Sequence, residues 1–296
     1  MSDFLIPQPK NMLSPEQEDI LEKNLVWILG ANRSGTTWLA LQIHAANCPI
    51  MGEPLLGEHL GISIRQENKM VRQFDIQKER EEYFFSEKYK DAWLFFLRKL
   101  FLNRVYAQFK TLEKKIVIKE PNGSIAADII SDCFPKSKFI ILLRDPRDIL
   151  DSRVDALSDR GYSTKLGWNP ITSKNKMPFI ERESLRWIQL IKVLMKTYND
   201  HKNKNYLLVK YEELRNNTNV ELAKILRFLE LKIDNDELQE ILDRFSFEKI
   251  PSNKKGKGKR KRSATPGKWK ENFNEEEKEI MHKIMAKTIQ EVGYEI

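Results

Sequence analysis

The fold class predicted from the sequence is α/β: a parallel sheet flanked by helices. Three observations predict it. Four short, almost continuously apolar runs (25–29, 116–118, 139–143 and 206–209) are each followed by a polar turn, the pattern of strands buried on both faces. The segments between and after them space apolar residues three or four apart, as amphipathic helices do. The composition also supports a real core: 41% hydrophobic and 10% aromatic over 296 residues, which excludes wholesale disorder.

Residues 1–24 read as a polar lead-in with a short helix after the Ser14-Pro15 start signal. The run 25–29 ends in Gly30, and helical spacing follows over 36–46. Residues 52–90 are mixed and carry no confident element. Residues 91–112 are apolar on most sides, which predicts a largely buried helix. The runs 116–118 and 139–143 are the next two strands, each followed by a turn and helical spacing. Gly, Pro, Ser, Thr and Asn mark 160–178 as a loop. Leu185, Ile188, Ile191 and Leu194 predict a helix over 179–198. After the fourth strand come helices at 218–231 and 236–243, a basic loop at 249–268 and a last helix at 274–291. Nothing resembles a linker, so 1–296 reads as a single domain.

The net charge is +8, and seven of the basic residues fall within Lys254–Arg262, a stretch without an acid. The rest of the chain is nearly neutral, unlike a uniformly basic nucleic-acid coat; the run also lacks the interleaved aromatics that stack on bases, so no nucleic-acid partner is expected. Cys48 and Cys133 make neither a disulfide framework nor a zinc site, and no metal is expected. No run is long enough to span a bilayer. Met1-Ser-Asp-Phe-Leu-Ile-Pro7 lacks a basic n-region and a long apolar stretch, so the expected location is cytoplasmic.

Gly30-Ala31-Asn32-Arg33-Ser34-Gly35-Thr36-Thr37 joins a strand to a helix. Two glycines five apart let successive N–H groups converge on an anion, and the helix start adds about half a positive charge. The spacing is that of the nucleoside-triphosphate loop G-x-x-x-x-G-K-[ST], but Thr36 stands at the lysine position and the cation is Arg33. A second anion site is predicted where the third strand meets Asp145-Pro146. Arg144 at the strand end and Ser152 two turns into the following helix face one crevice. Lys119 ends the strand at 116–118 on the same ligand side.

Arg33-Ser34-Gly35-Thr36-Thr37-Trp38 after a strand resembles the 5′-phosphosulfate loop of the sulfotransferases that use 3′-phosphoadenosine 5′-phosphosulfate (PAPS). Arg144-Asp-Pro-Arg147 with Ser152 eight residues on resembles that family's 3′-phosphate site. Lys119-Glu120-Pro121 resembles the Lys-Asp-Pro segment of the tyrosylprotein branch, whose lysine lies near the transferring group. Tyr211-Glu212 and Phe245-Ser246-Phe247 resemble the segments beside the adenine. Arg262-Ser-Ala-Thr-Pro-Gly267-Lys-Trp269-Lys270 resembles a stretch near the end of cytosolic members that wraps the 3′-phosphate, with Ser263-Ala264 in place of Lys-Gly. The resemblance implies a P-loop-like sulfotransferase fold and a cofactor-covering role for the loop 249–268. It implies PAPS as cofactor, 3′-phosphoadenosine 5′-phosphate (PAP) as product, and a hydroxyl-bearing acceptor. It assigns cofactor contacts to Asn32, Arg33, Ser34, Gly35, Thr36, Thr37, Trp38, Arg144, Ser152, Tyr211, Phe247, Arg262, Ser263 and Ala264.

Sulfuryl transfer is an in-line displacement that needs placed reactants, stabilised charge and a base. Arg33 and Lys119 are the expected charge stabilisers. The tyrosylprotein branch takes its base from a Gly-Glu-Glu stretch after the first helix, which Gly52-Glu53-Pro54 resembles. Glu53 is thus the leading base, with Glu58, His59 and Glu120 as alternatives. A P-loop kinase is the competing reading; Thr36 in place of the lysine argues against it.

Overall fold

The computed structural model describes residues 12–60, 63–66, 69–202, 205–259 and 261–296. In chain order the elements are α1 (Pro15–Lys23), β1 (Leu25–Gly30), α2 (Thr36–Ala45), β2 (Ile50–Gly52), α3 (Leu56–Leu60), β3 (Ser63–Gln66), β4 (Lys69–Arg72) and α4 (Gln73–Gln77). Then follow α5 (Lys90–Phe109), β5 (Ile116–Lys119), α6 (Ala127–Cys133), β6 (Lys138–Leu143), α7 (Pro146–Ala156) and α8 (Ser173–His201). The chain ends with β7 (Tyr206–Lys210), α9 (Tyr211–Asn216), α10 (Thr218–Phe228), α11 (Asn235–Phe245), α12 (Trp269–Asn272) and α13 (Glu275–Glu291).

Five strands form one parallel sheet in the order β2-β5-β1-β6-β7. All six residues of β1 are buried, because helices cover both faces. On one face Trp27 packs between Phe101 and Phe134, with ring centroids 5.1 and 5.2 Å away. That core also takes in Leu102 of α5, Ile130 of α6, Leu194 of α8 and Met285 of α13. On the other face Val26, Ile28, Ile140 and Leu142 meet Leu39 and Ile43 of α2 and Ile225 of α10. The sheet grows outward from β1 in both directions. Its strand C-termini at β5, β1 and β6 therefore open the crevice where an open α/β sheet binds ligands.

The four expected strands are all present. The fifth, β2, lies within a stretch without alternation and is only three residues long. Residues 52–90, read as having no elements, hold α3, the antiparallel hairpin β3–β4 and α4. The hairpin is fastened by the buried Arg72, whose guanidinium donates to Asp75 and Asp128. The predicted loop 160–178 is shorter than expected. Helix α8 begins at Ser173, behind a Thr172/Asn175 capping box, and runs through Pro178, its sixth residue, which forgoes one intrahelical hydrogen bond. Among the described residues, no helix is long and apolar enough to cross a membrane.

Candidate active site

Every strand of the large sheet delivers a site residue at its C-terminal end: Gly30, Glu53, Lys119, Arg144 and Tyr211 follow or close β1, β2, β5, β6 and β7. The loop after β1 needs its glycines for space. A Cβ on Gly30 would lie 2.4 Å from the Leu142 carbonyl oxygen. A Cβ on Gly35, at φ 97°, would lie 2.6 Å from Tyr211 Cδ2. The backbone turns sharply, with the Ser34 N–H on the Ala31 carbonyl at 3.0 Å, and Arg33 adopts φ 78°, a left-handed conformation that costs a non-glycine residue about 1 kcal/mol or more. The loop is clamped from below by Ser124, whose Oγ accepts from the Gly30 N–H at 2.8 Å. Helix α2 then starts at Thr36 without a side-chain cap, leaving its first N–H groups to a ligand.

Two arginines stand beside this loop. The Arg144 guanidinium lies over the Tyr211 ring, 4.4 Å from its centroid, and donates from Nη1 to the Arg33 carbonyl at 2.9 Å. Arg33 reaches the other way: Nε donates to Ser152 Oγ at 2.9 Å and Nη1 to the Tyr162 hydroxyl at 3.0 Å. The expected 5′-loop arginine thus touches the expected 3′-site serine. Tyr162 lies 129 residues away in sequence, and no local motif marks it.

On the β5 side, Lys119 is 6% exposed. Its ammonium pairs with the Glu53 carboxylate and lies 3.5 Å from Thr37 Oγ1. Asn122 Nδ2 donates to the other Glu53 oxygen at 3.3 Å, and Asn32 Nδ2 donates to Asn122 Oδ1. Glu53 sits at φ 54°, its N–H held by the Lys119 carbonyl at 2.7 Å, so the turn after β2 aims it at the lysine. Glu120, an alternative base, is fully buried, accepts from the Leu55 N–H at 3.0 Å and packs beneath Gly123; it shapes the turn. The Glu58 and His59 side chains lie outside the described residues.

Trp38 and Tyr211 meet edge to face, 6.0 Å apart, and Trp38 Nε1 donates to the Phe245 carbonyl at 3.1 Å. Trp38, Gln42, Phe245 and Ser246 line a cleft of about 230 Å³. Tyr211 is buried under the loop, and burial pushes its hydroxyl above the ordinary tyrosine range. Phe247 does not line that cleft; its ring faces the Lys255 ammonium at 5.0 Å. Phe245, two residues earlier, lines it instead.

The basic loop is tied to α7 by three aspartates. Asp148 accepts from the Gly267 and Trp269 N–H groups at 2.7 and 3.2 Å, and Asp155 from the Gly258 N–H at 2.9 Å. Asp151 forms a bidentate pair with Arg262. Arg262 is therefore held by the carboxylate next to Ser152 on α7. Ser263 Oγ accepts from the Thr265 N–H at 3.1 Å, and Ala264 is buried.

The residues present fit a ligand with two separated phosphates. Ser34 Oγ and Arg144 Nε are buried polar atoms with no hydrogen-bond partner among the described residues, and such groups are ordinarily satisfied by a ligand or water. Both face the loop that the two glycines open. Among the described residues, no group of three or more His, Cys, Asp or Glu converges as a metal site.

Fold and site together define a parallel α/β protein with a glycine-bounded loop after β1 and an arginine at the neighbouring strand end. Residues 23–293 match the sulfotransferase domain family. Human sulfotransferase 2A1 is 28% identical over 181 residues, covering 54% of this chain and 59% of that protein; the Macaca fascicularis protein is 26% identical over the same extents. The chain thus spans somewhat over half the length of these curated relatives. Mouse sulfotransferase SULT7A1 complexed with PAP superposes with a TM-score of 0.55 at 14% identity, covering 95% of this chain and 90% of that one. Retinol dehydratase in complex with androsterone and inactive cofactor PAP gives 0.54 at 16%, covering 93% and 83%. At these identities the structural likeness is one of fold. The chain belongs to the sulfotransferase family.

Proposed function

We propose that this protein is a PAPS-dependent sulfotransferase that moves the sulfuryl group to an acceptor hydroxyl and releases PAP. The observation that carries the reading is the guanidinium of Arg33. It spans from the loop after β1 to Ser152 on α7, so the two sites that separate this cofactor from ATP form one continuous surface. The PAP bound in the two related structures supports the same reading. A kinase lacks support, since Thr36 occupies the position of the triphosphate-binding lysine.

Bound PAPS supplies an electrophilic sulfur and a phosphate leaving group. The chain's own residues do the rest. The α2 N-terminus, the loop N–H groups and the Ser34 hydroxyl would hold the 5′-phosphate. Arg144 and Ser152 would hold the 3′-phosphate, and Trp38 with Phe245 the base. Arg33 and Lys119 stabilise negative charge as it grows on oxygen. Glu53, beside Lys119, takes the acceptor proton. Residues 1–296 act as one domain, in the cytoplasm, with the loop 249–268 closing over the cofactor.

Calorimetry with 3′,5′-adenosine bisphosphate against ATP tests the reading. Tighter binding of the bisphosphate without Mg²⁺ is expected; preference for ATP overturns it.

A further inference from the structure

The strand ends opposite the active site carry a second concentration of positive charge. Lys115 precedes β5, Lys138 opens β6 and Asn205 precedes β7. With Lys23, Lys136 and Glu230 they line a cleft of about 580 Å³, within the ~300–1,000 Å³ usual for small-molecule sites. A six-residue strand is about 20 Å long, so the cleft is roughly that far from the loop after β1.

Its charge is not balanced. Four ammonium groups line it against one carboxylate. Lys136 is paired outward to Asp19 at 2.5 Å, and Lys23 has no ion pair among the described residues. Lys115 and Lys138 have largely buried side chains, each 13% exposed, and they share Glu230, at 3.9 and 2.8 Å. Burial and then the Lys138 charge push the Lys115 ammonium below the ordinary lysine range, so the two cations repel each other with too little counter-charge. Each also donates to a helix-end carbonyl, Lys115 to Lys23 at 3.3 Å and Lys138 to Phe228 at 2.6 Å, which fixes the ammonium groups in place.

Glu230 is the second telling feature. It sits at φ 60° just past α10, a position where glycine or asparagine is normal. Its side chain is 72% exposed, so the carboxylate that bridges two buried lysines can swing away into water. A stronger, multivalent oxyanion can take its place with little rearrangement.

We propose that this cleft is a binding site for a small free oxyanion bearing two adjacent phosphoryl groups, with the Glu230 carboxylate as its built-in competitor. Such a ligand would neutralise Lys115 and Lys138 in the interior and reach Lys23 and Lys136 at the rim.

Inorganic pyrophosphate is the probe. The readout is residue-resolved: limiting acetylation of the full-length protein followed by peptide mass spectrometry. Pyrophosphate is expected to protect Lys115 and Lys138 several-fold while leaving Lys99 on α5 unchanged, and sodium chloride at matched ionic strength is expected not to. Glu230→Gln removes the competitor and should lower the half-protecting concentration about tenfold; Lys138→Met should raise it by about as much. Protection by chloride equal to that by pyrophosphate overturns the proposal, as does no protection at about 10 mM pyrophosphate. So does an unchanged half-protecting concentration in Glu230→Gln, an exposed substitution that decides the matter even if Lys138→Met does not fold. A site-bound phospholipid headgroup in place of a free diphosphate would show as protection by anionic vesicles and none by pyrophosphate, which also counts against it.

Discussion

Arg33 combines a strained backbone with a side chain that joins the loop after β1 to α7. At φ 78° it directs its carbonyl to Arg144 and its guanidinium to Ser152 and Tyr162. A donor placed where charge develops is worth about 10²–10³ in turnover, so Arg33→Ala should lower kcat by about 10²-fold or more. Arg33→Lys should fall between, because one ammonium cannot span Ser152 and Tyr162 as a planar fork does. Near wild-type sulfate transfer by Arg33→Ala would sink the role. Glu53→Gln should lose turnover while calorimetry shows PAP affinity retained, since the amide cannot take the acceptor proton; normal turnover moves the base elsewhere. The loop residues and Arg144 were legible because glycine spacing and strand ends are local signals. Tyr162 and Asn122 were not, since their roles come from contacts 129 and 69 residues distant in sequence. Arg262 was singled out only by resemblance, and nothing local in the sequence announces Asp151 as its partner.

Helix α7 serves two purposes. Ser152 turns toward the loop after β1, while Asp148, Asp151 and Asp155, spaced three and four apart, share the face that holds the basic loop. Removing one partner of a largely buried ion pair costs about 3–5 kcal/mol, with Arg262 and Asp151 side chains 13% and 5% exposed. Asp151→Ala should therefore destabilise the protein by about 3 kcal/mol and speed tryptic cleavage within Lys254–Lys261. An unchanged cleavage rate rejects the latch. Asp148 gives a pH signature. Burial, partly opposed by the Gly267 N–H, holds its carboxyl above the ordinary aspartate value of 3.8. Its folded form binds the proton more tightly than its unfolded form. The stability it contributes is therefore full below about 3.8 and is lost as pH rises through the raised value. Asp148→Asn should remove that slope from denaturation curves taken across this window. The long helices were legible from their apolar spacing, although α7 is buried on nearly every side and α5, expected to be largely buried, leaves Phe95, Phe96 and Leu100 exposed. The hairpin β3–β4, β2 and the first turns of α8 were not, because short segments show no period, and Pro178 reads as a break unless the helix start is known.

Across the whole molecule, charge is divided between two ends and one loop. The net +8 comes almost wholly from the run Lys254–Arg262, and the structure engages only part of that run. Arg262 is bound to Asp151, and Lys255 donates to the Phe247 and Glu248 carbonyls. Lys254, Lys257 and Lys259 stand exposed in the loop tied along α7. They are not among the proposed cofactor contacts, so neutralising them should change how fast an anion arrives more than how tightly it is held. Local fields of one sign raise association rates by about 10–10³-fold and fade as salt shortens the Debye length from about 30 Å at 0.01 M to 8 Å at 0.15 M. The triple variant Lys254→Ser, Lys257→Ser, Lys259→Ser should bind PAP several-fold more slowly at low salt. Its dissociation rate should be unchanged, and its on-rate should depend less steeply on ionic strength. Stopped-flow binding of PAP at two salt concentrations measures all three quantities. An on-rate and salt slope equal to wild type would mean that the run does not steer the cofactor, leaving its lysines to the acceptor side of the reaction.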